Sequence, residues 1–195
     1  MSERIMENYI YTGRFQPLHR GHLAFLEQAK RLHPNALLII CIIRNYAYNY
    51  SSSIVNSSFF KAYHEKELPE NNPLPNWNRY YLLKLAIASN PVLCHNTEVI
   101  FRSRPELDWD DSLLDLPDNR IWLMGKNERD AGEKTKVQFY HDKHERIELV
   151  DVPQEFSKYS GTNIRNLLRS ENPSLEFLPD ACQDYFLSEC LRYFL

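Results

Sequence analysis

Apolar and polar residues fall into blocks whose lengths separate strands from helices. Tyr9 to Thr12 is a short, mostly apolar stretch closed by Gly13, the pattern of a strand that ends in a turn. From His22 to Leu32, the apolar residues Phe25, Leu26, Ala29 and Leu32 recur at helical spacing. Ala36 to Ile43 is an unbroken aliphatic run, the mark of a strand covered on both faces. Residues 9 to 43 therefore read as strand, helix, strand. A crossover of this kind is almost always right-handed and joins parallel strands.

The pattern then breaks. Residues 46 to 78 are polar and irregular, with repeated Ser, Asn and Pro. Asn78 to Asn90 reads as a helix with Leu82, Leu83 and Ala86 on its inner side. Glu98 to Arg102, Arg120 to Met124 and Arg146 to Val152 read as further strands. The charged stretch 126 to 145 reads as loop with a short helix at most. Thr162 to Arg169 begins a helix, and Asp180 to Leu195 forms another, striped by Cys182, Tyr185, Phe186, Cys190, Tyr193 and Phe194. Strands alternating with helices point to an α/β fold on a parallel sheet.

Length and composition narrow this further. The chain has 195 residues, 43% hydrophobic and 25% charged, ordinary for a globular domain. A single domain with a long polar insertion at about 46–71 fits this size. No apolar run approaches the ~20 residues of a membrane helix. The N-terminus lacks the basic-then-apolar pattern of a signal peptide, so a cytoplasmic protein is expected. The net charge of −3 argues against a general nucleic-acid binder but leaves room for a small anion in a locally positive pocket. The four cysteines form no CxxC pair and are expected to be reduced packing residues.

Only five glycines are present, where average usage would give about 14. Four of them, Gly13, Gly21, Gly125 and Gly161, fall in the segments with candidate chemistry.

The first such segment joins the first strand to the first helix. It reads Gly13-Arg14-Phe15-Gln16-Pro17-Leu18-His19-Arg20-Gly21-His22. In open α/β sheets ligands bind at the carboxyl ends of the strands, where this loop lies. The following helix offers free N–H groups and the positive end of its dipole. Gly13 would let the backbone approach a phosphate, and His19 and His22, three apart, share one face. Arg14 and Arg20 add charge. The plainer reading is that the histidines cap the helix and Arg14 is a solvated charge. Neither the dinucleotide GxGxxG nor a Walker A loop is present. No carboxylate or cysteine is spaced to make the histidine pair a metal site.

The second segment is Lys158-Tyr159-Ser160-Gly161-Thr162-Asn163-Ile164-Arg165. Ser160 or Thr162 can cap the helix that starts there. Arg165 can sit above the same helix end, so a hydroxyl, free N–H groups and a guanidinium converge on one point, suited to a polyphosphate. The plainer reading here is an N-cap beside a surface arginine.

Taken as a pair, these segments resemble the signatures of the nucleotidylyltransferases. GRFQPLHRGH is similar to their HxGH motif, in the GRFQP form of nicotinamide-nucleotide adenylyltransferases. YSGTNIR is similar to their second signature, I/Y-S-x-T-x-x-R. Asn72-Pro73 followed by Arg79 resembles the NPFTxxER segment of that family, and Gly125-Lys126-Asn127 resembles its turn near the nucleotide. The likeness runs from about residue 8 to 180. It is nearest to the archaeal-type enzymes and to the first half of proteins fused to a Nudix domain, here without that domain.

The resemblance implies a Rossmann-like α/β fold and transfer of AMP from ATP to nicotinamide mononucleotide, with nicotinate mononucleotide as a second acceptor. It implies Mg²⁺ carried by the ATP and no protein metal ligands. It places His19, His22 and Arg165 in catalysis. It places Gly13, Arg14, Phe15, Gln16, Gly125, Ser160 and Thr162, with those three, against the nucleotide. Trp77, Trp109 and Trp122 are the candidates to stack on the acceptor base. Two alternatives stay open: another phosphorylated acceptor, or a catalytically silent ATP or NAD sensor. Homo-oligomerisation is left open.

Overall fold

The computed structural model describes residues 7–44, 68–126, 131–156, 158–170 and 173–195, and of 131–134 the backbone only. Its centre is a five-stranded, wholly parallel sheet in the order β3-β2-β1-β4-β5. The strands are β1 (Asn8–Gly13), β2 (Leu37–Ile43), β3 (Thr97–Arg102), β4 (Arg120–Gly125) and β5 (Ile147–Val150). The helices are α1 (Arg20–Leu32), α2 (Asn76–Ala88), α3 (Trp109–Leu113), α4 (Ala131–Asp142) and α5 (Gly161–Leu168). This is the doubly wound, Rossmann-like α/β fold that the alternation of strands and helices predicts.

The aliphatic run behaves as its composition requires. Successive side chains of β2 point to opposite faces of the sheet. Leu38, Ile40 and Ile42 join the larger core with Leu26 and Ala29 of α1 and Leu82 and Leu83 of α2. Ile39 and Cys41 join a smaller core with Ile10, Trp122, Met124 and Tyr140. Both faces are covered, so polar residues have no place in the strand.

Four expectations change. Leu32 is 52% exposed, so the inner face of α1 is Leu23, Phe25, Leu26 and Ala29. The charged stretch after β4 contains a twelve-residue helix, α4, and α3 lies in a segment that carried no element. The last segment is not one α-helix. A 3-10 turn, a short α turn, a π segment at Phe186–Cys190 and a second 3-10 turn follow one another. Cys182, Phe186, Cys190 and Phe194 are still all buried. A four-residue repeat overshoots the 3.6-residue turn by about 40° per step, and a wider π turn keeps the stripe in line.

Cys41, Cys182 and Cys190 are buried thiols, Cys94 is exposed, and all four are free. Among the described residues no helix is long and apolar enough to cross a membrane. Most of the polar insertion at 46–71 lies outside the described residues; Pro69–Asn71 forms a 3-10 turn.

Candidate functional site

The strand order reverses between β1 and β4, and the loop leaving β1 opens at that switch point. Gly13 ends the strand. A Cβ there would stand 2.9 Å from two ring atoms of Phe15, so the missing side chain makes room for that ring. Phe15 is buried, with a positive φ of 51°. The space its missing side chain leaves is filled by Phe15. Gln16 is buried too. Its side chain donates to the Leu74 carbonyl at 3.0 Å and accepts from the Leu74 N–H at 2.9 Å. The peptide bond from Gln16 to Pro17 is cis. The loop is thus held from within.

His19 is the N-cap of α1, and it forms a reciprocal capping box with His22. The His22 N–H donates to Nδ1 of His19, and the His19 N–H donates to Nδ1 of His22, both at 3.3 Å. The rings stack, with centroids 3.6 Å apart. Both Nδ1 atoms are acceptors, so each neutral ring carries its proton on Nε2. Burial holds His19 far below the ordinary imidazole pKa, at about 3. Burial does the same to His22, helped by the adjacent His19 and Arg14. The capping reading and the ligand reading are therefore not rivals. Capping consumes Nδ1 and leaves two neutral Nε2–H donors.

Both rings line a cavity of about 270 Å³ at the carboxyl end of the sheet. Its walls also include Tyr11, Thr12, Gly125, Lys136, Phe156 and Tyr159. Among the described residues, nothing lies within 4 Å of where a Cβ on Gly125 would stand, consistent with an open wall.

The second turn is assembled differently. Ser160 caps α5, its Oγ accepting from the Asn163 N–H at 3.2 Å. Arg165 is 3% exposed. Its guanidinium donates to the Gln16 carbonyl at 3.0 Å, to Oδ1 of Asn71 at 3.0 Å and to Oγ1 of Thr162 at 3.2 Å. A Cβ on Gly161 would meet the guanidinium at 3.1 Å and the Gln16 carbonyl at 3.3 Å. Arg165, Thr162, Gly161 and Gln16 do come together, but as a latch between α5 and the first loop. The plainer reading of Arg165 as a surface charge is wrong.

Other candidates separate from the cavity. Arg20 turns away, donating to the Glu176 carbonyl at 2.8 Å and pairing with Asp180 at 2.7 Å. Arg14 lies near enough to lower the His22 pKa, and its carbonyl accepts from Arg79 at 2.7 Å. Arg79 is fully buried and also donates to the Ile43 carbonyl at 2.7 Å, joining the ends of β1 and β2. Lys126 pairs with Asp151 on the surface at 3.0 Å, and Asn127 lies outside the described residues. None of the three tryptophans lines the cavity. Trp122 is buried, with its ring N–H on Glu145 at 2.8 Å. Trp109 packs against it at 6.0 Å between centroids, and Trp77 is 63% exposed beside Tyr80 and Tyr81.

Motif reading missed Tyr11, Thr12, Lys136, Phe156 and Tyr159. Tyr11 and Thr12 had a signal, because they immediately precede the turn on a strand whose end faces the site. Lys136 had none, since it lies among other charged residues in a segment read as loop.

Residues 10–167 match the family model described as cytidylyltransferase-like. Solved structures with the same fold include a bifunctional NMN adenylyltransferase/ADP ribose pyrophosphatase from Francisella tularensis, complexed with AMP and a manganese ion. It is 13% identical, with a TM-score of 0.61, over 97% of this chain and 52% of that one. The present chain thus spans about half the length of that protein. A Plasmodium falciparum nicotinic acid mononucleotide adenylyltransferase complexed with NaAD is 15% identical. Its TM-score is 0.63, over 98% of this chain and 99% of that one. No curated protein matches the chain. At these identities the solved structures establish the fold.

Proposed function

The chain belongs to the cytidylyltransferase-like family, and from that footing we propose that it is an adenylyltransferase moving AMP from Mg·ATP to nicotinamide mononucleotide. A phosphate oxygen of the acceptor attacks the α-phosphorus in line. The bond from that phosphorus to the bridging oxygen breaks, and pyrophosphate leaves as NAD forms. The Mg²⁺ arrives with the nucleotide.

The observation that carries this reading is the histidine pair. Two neutral imidazoles, fixed in one tautomer by the backbone, line a cavity at the switch point of the sheet. Phosphoryl transfer asks the protein for positioning and electrostatic stabilisation more than for covalent chemistry. Preorganised N–H donors stabilise oxygens that gain charge in the transition state without any proton changing hands. Burial lowers both pKa values, so His19 and His22 meet the substrate as neutral hydrogen-bond donors. The reading gives Arg165, oriented by Thr162, the task of holding the first loop through the Gln16 carbonyl, with Ser160 capping α5. Nicotinate mononucleotide is the second acceptor, supported by the Plasmodium neighbour that is named for it.

The test is pyrophosphate release from Mg·ATP with each acceptor added separately. Release is expected with nicotinamide mononucleotide, and a lesser rate with the nicotinate analogue. Release with neither overturns the reading: release with some other phosphate ester keeps the chemistry and moves the acceptor, and no release with any acceptor, despite ATP binding, favours a sensor.

A further inference from the structure

The histidine pair supplies no positive charge, yet a nucleotide triphosphate and a second phosphate would bring several negative charges into one cavity. Arg20 is turned to Asp180, and neither Arg14 nor Arg165 is among the residues that line the cavity. Among the described residues that line the cavity, one carries a permanent charge, and it is Lys136. It sits on α4, which packs on the other face of the sheet from α1. Its Nζ donates to Oγ1 of Thr12 at 3.3 Å. Thr12 is near the end of β1, the central strand, so the ammonium is anchored beside the switch point.

We propose that Lys136 contacts the substrate phosphates directly, as the cation that faces the neutral histidine donors across the reacting centre. An ammonium has three donors. One is held by a neutral hydroxyl, which orients the group without neutralising it. The other two are left for phosphoryl oxygens. The geometry divides the work: α1 provides neutral N–H donors of fixed direction, and α4 provides charge on a flexible stem that can follow the phosphates. Its position at the centre of the sheet suits the point where donor and acceptor phosphates must approach against their mutual repulsion. This assignment rests on the adenylyltransferase reading for its substrate but not for its phosphate chemistry.

The experiment therefore uses a probe without an acceptor. Inorganic pyrophosphate, ATP and adenosine are titrated calorimetrically into the wild-type chain and into Lys136→Met, Lys136→Gln and Lys136→Arg. Pyrophosphate and ATP should bind at least tenfold more weakly to the Met and Gln variants. The Arg variant should recover most of that loss, and adenosine affinity should stay the same throughout. Unchanged pyrophosphate affinity in a folded Met or Gln variant overturns the proposal. An equal loss for adenosine, or a wild type that binds no pyrophosphate, overturns it as well. The proposed reaction fails separately. A wild type that binds pyrophosphate through Lys136 but releases none from ATP keeps the lysine's role and ends the adenylyltransferase reading.

Discussion

The turn before α1 and the turn before α5 start from similar parts: a strand end, a small-residue turn, a helix N-terminus and basic side chains. They use them in opposite ways. At α1 the capping groups are imidazoles, and each has two nitrogens. Nδ1 closes the capping box, and Nε2 remains for the cavity. At α5 the cap is a serine hydroxyl and the basic group is a guanidinium buried against three oxygens of the protein itself. Removing such a donor strands the buried oxygens it serves, which is costly. The first turn is arranged to present donors, and the second is arranged to hold the first in place. A motif residue's chemistry is set by how many of its polar atoms the fold has already satisfied.

The largest expected effect separates the two turns by rate. His22→Ala should lower turnover 10²- to 10³-fold, about 3–4 kcal/mol of barrier, as for the loss of one preorganised donor. Its melting transition should fall modestly, by about the 1 kcal/mol of a lost capping partner. Near-normal turnover would remove the chemical role from the first turn.

The converse variant is read by stability. Arg165→Ala leaves the Gln16 carbonyl and the Asn71 side chain without their donor. Denaturant unfolding should show a loss of about 2–3 kcal/mol. An unchanged midpoint would mean that the second turn is no latch.

Next comes pH. The unfolded chain takes up protons on its imidazoles near the ordinary value of 6.5, whereas folded His19 does so only at about 3. Stability from this residue is therefore complete above pH 6.5 and falls as pH drops toward 3. The slope approaches about 1.4 kcal/mol per pH unit for each such imidazole. His19→Gln should flatten the slope between pH 6 and 4; an unaltered slope would place the titration elsewhere.

The smallest effect is expected for Ser160→Ala. Loss of an ordinary cap costs about 1 kcal/mol, visible as a modest fall in Tm. A collapse of activity with unchanged Tm would make Ser160 a ligand group and blur the contrast.

The sequence exposes the first turn better than the second for a physical reason. β1, α1 and β2 are marked by an unbroken aliphatic run and a helical period, and both signals survive in a single chain. The spacing of His19 and His22 also fixes a shared face of α1. Spacing puts Arg165 above the start of α5 but says nothing of depth, and its latch partners Gln16 and Asn71 are distant in sequence. The same limit hides Lys136. Among the described residues, helix α4 packs Val137, Phe139 and Tyr140 against the second core, too few apolar residues to outweigh the charges around them. Gly13 carries a packing role that its spacing does not show: the Phe15 ring takes the space of its missing side chain.

The most direct test of this account is nitrogen NMR of the imidazole rings, with His19 and His22 assigned by single Gln replacements among the chain's seven histidines. At pH 6 both rings should be neutral, with the proton on Nε2, while ordinary exposed histidines are already largely protonated. A protonated ring at that pH, or a proton on Nδ1 of either residue, would contradict the division of labour between the two turns.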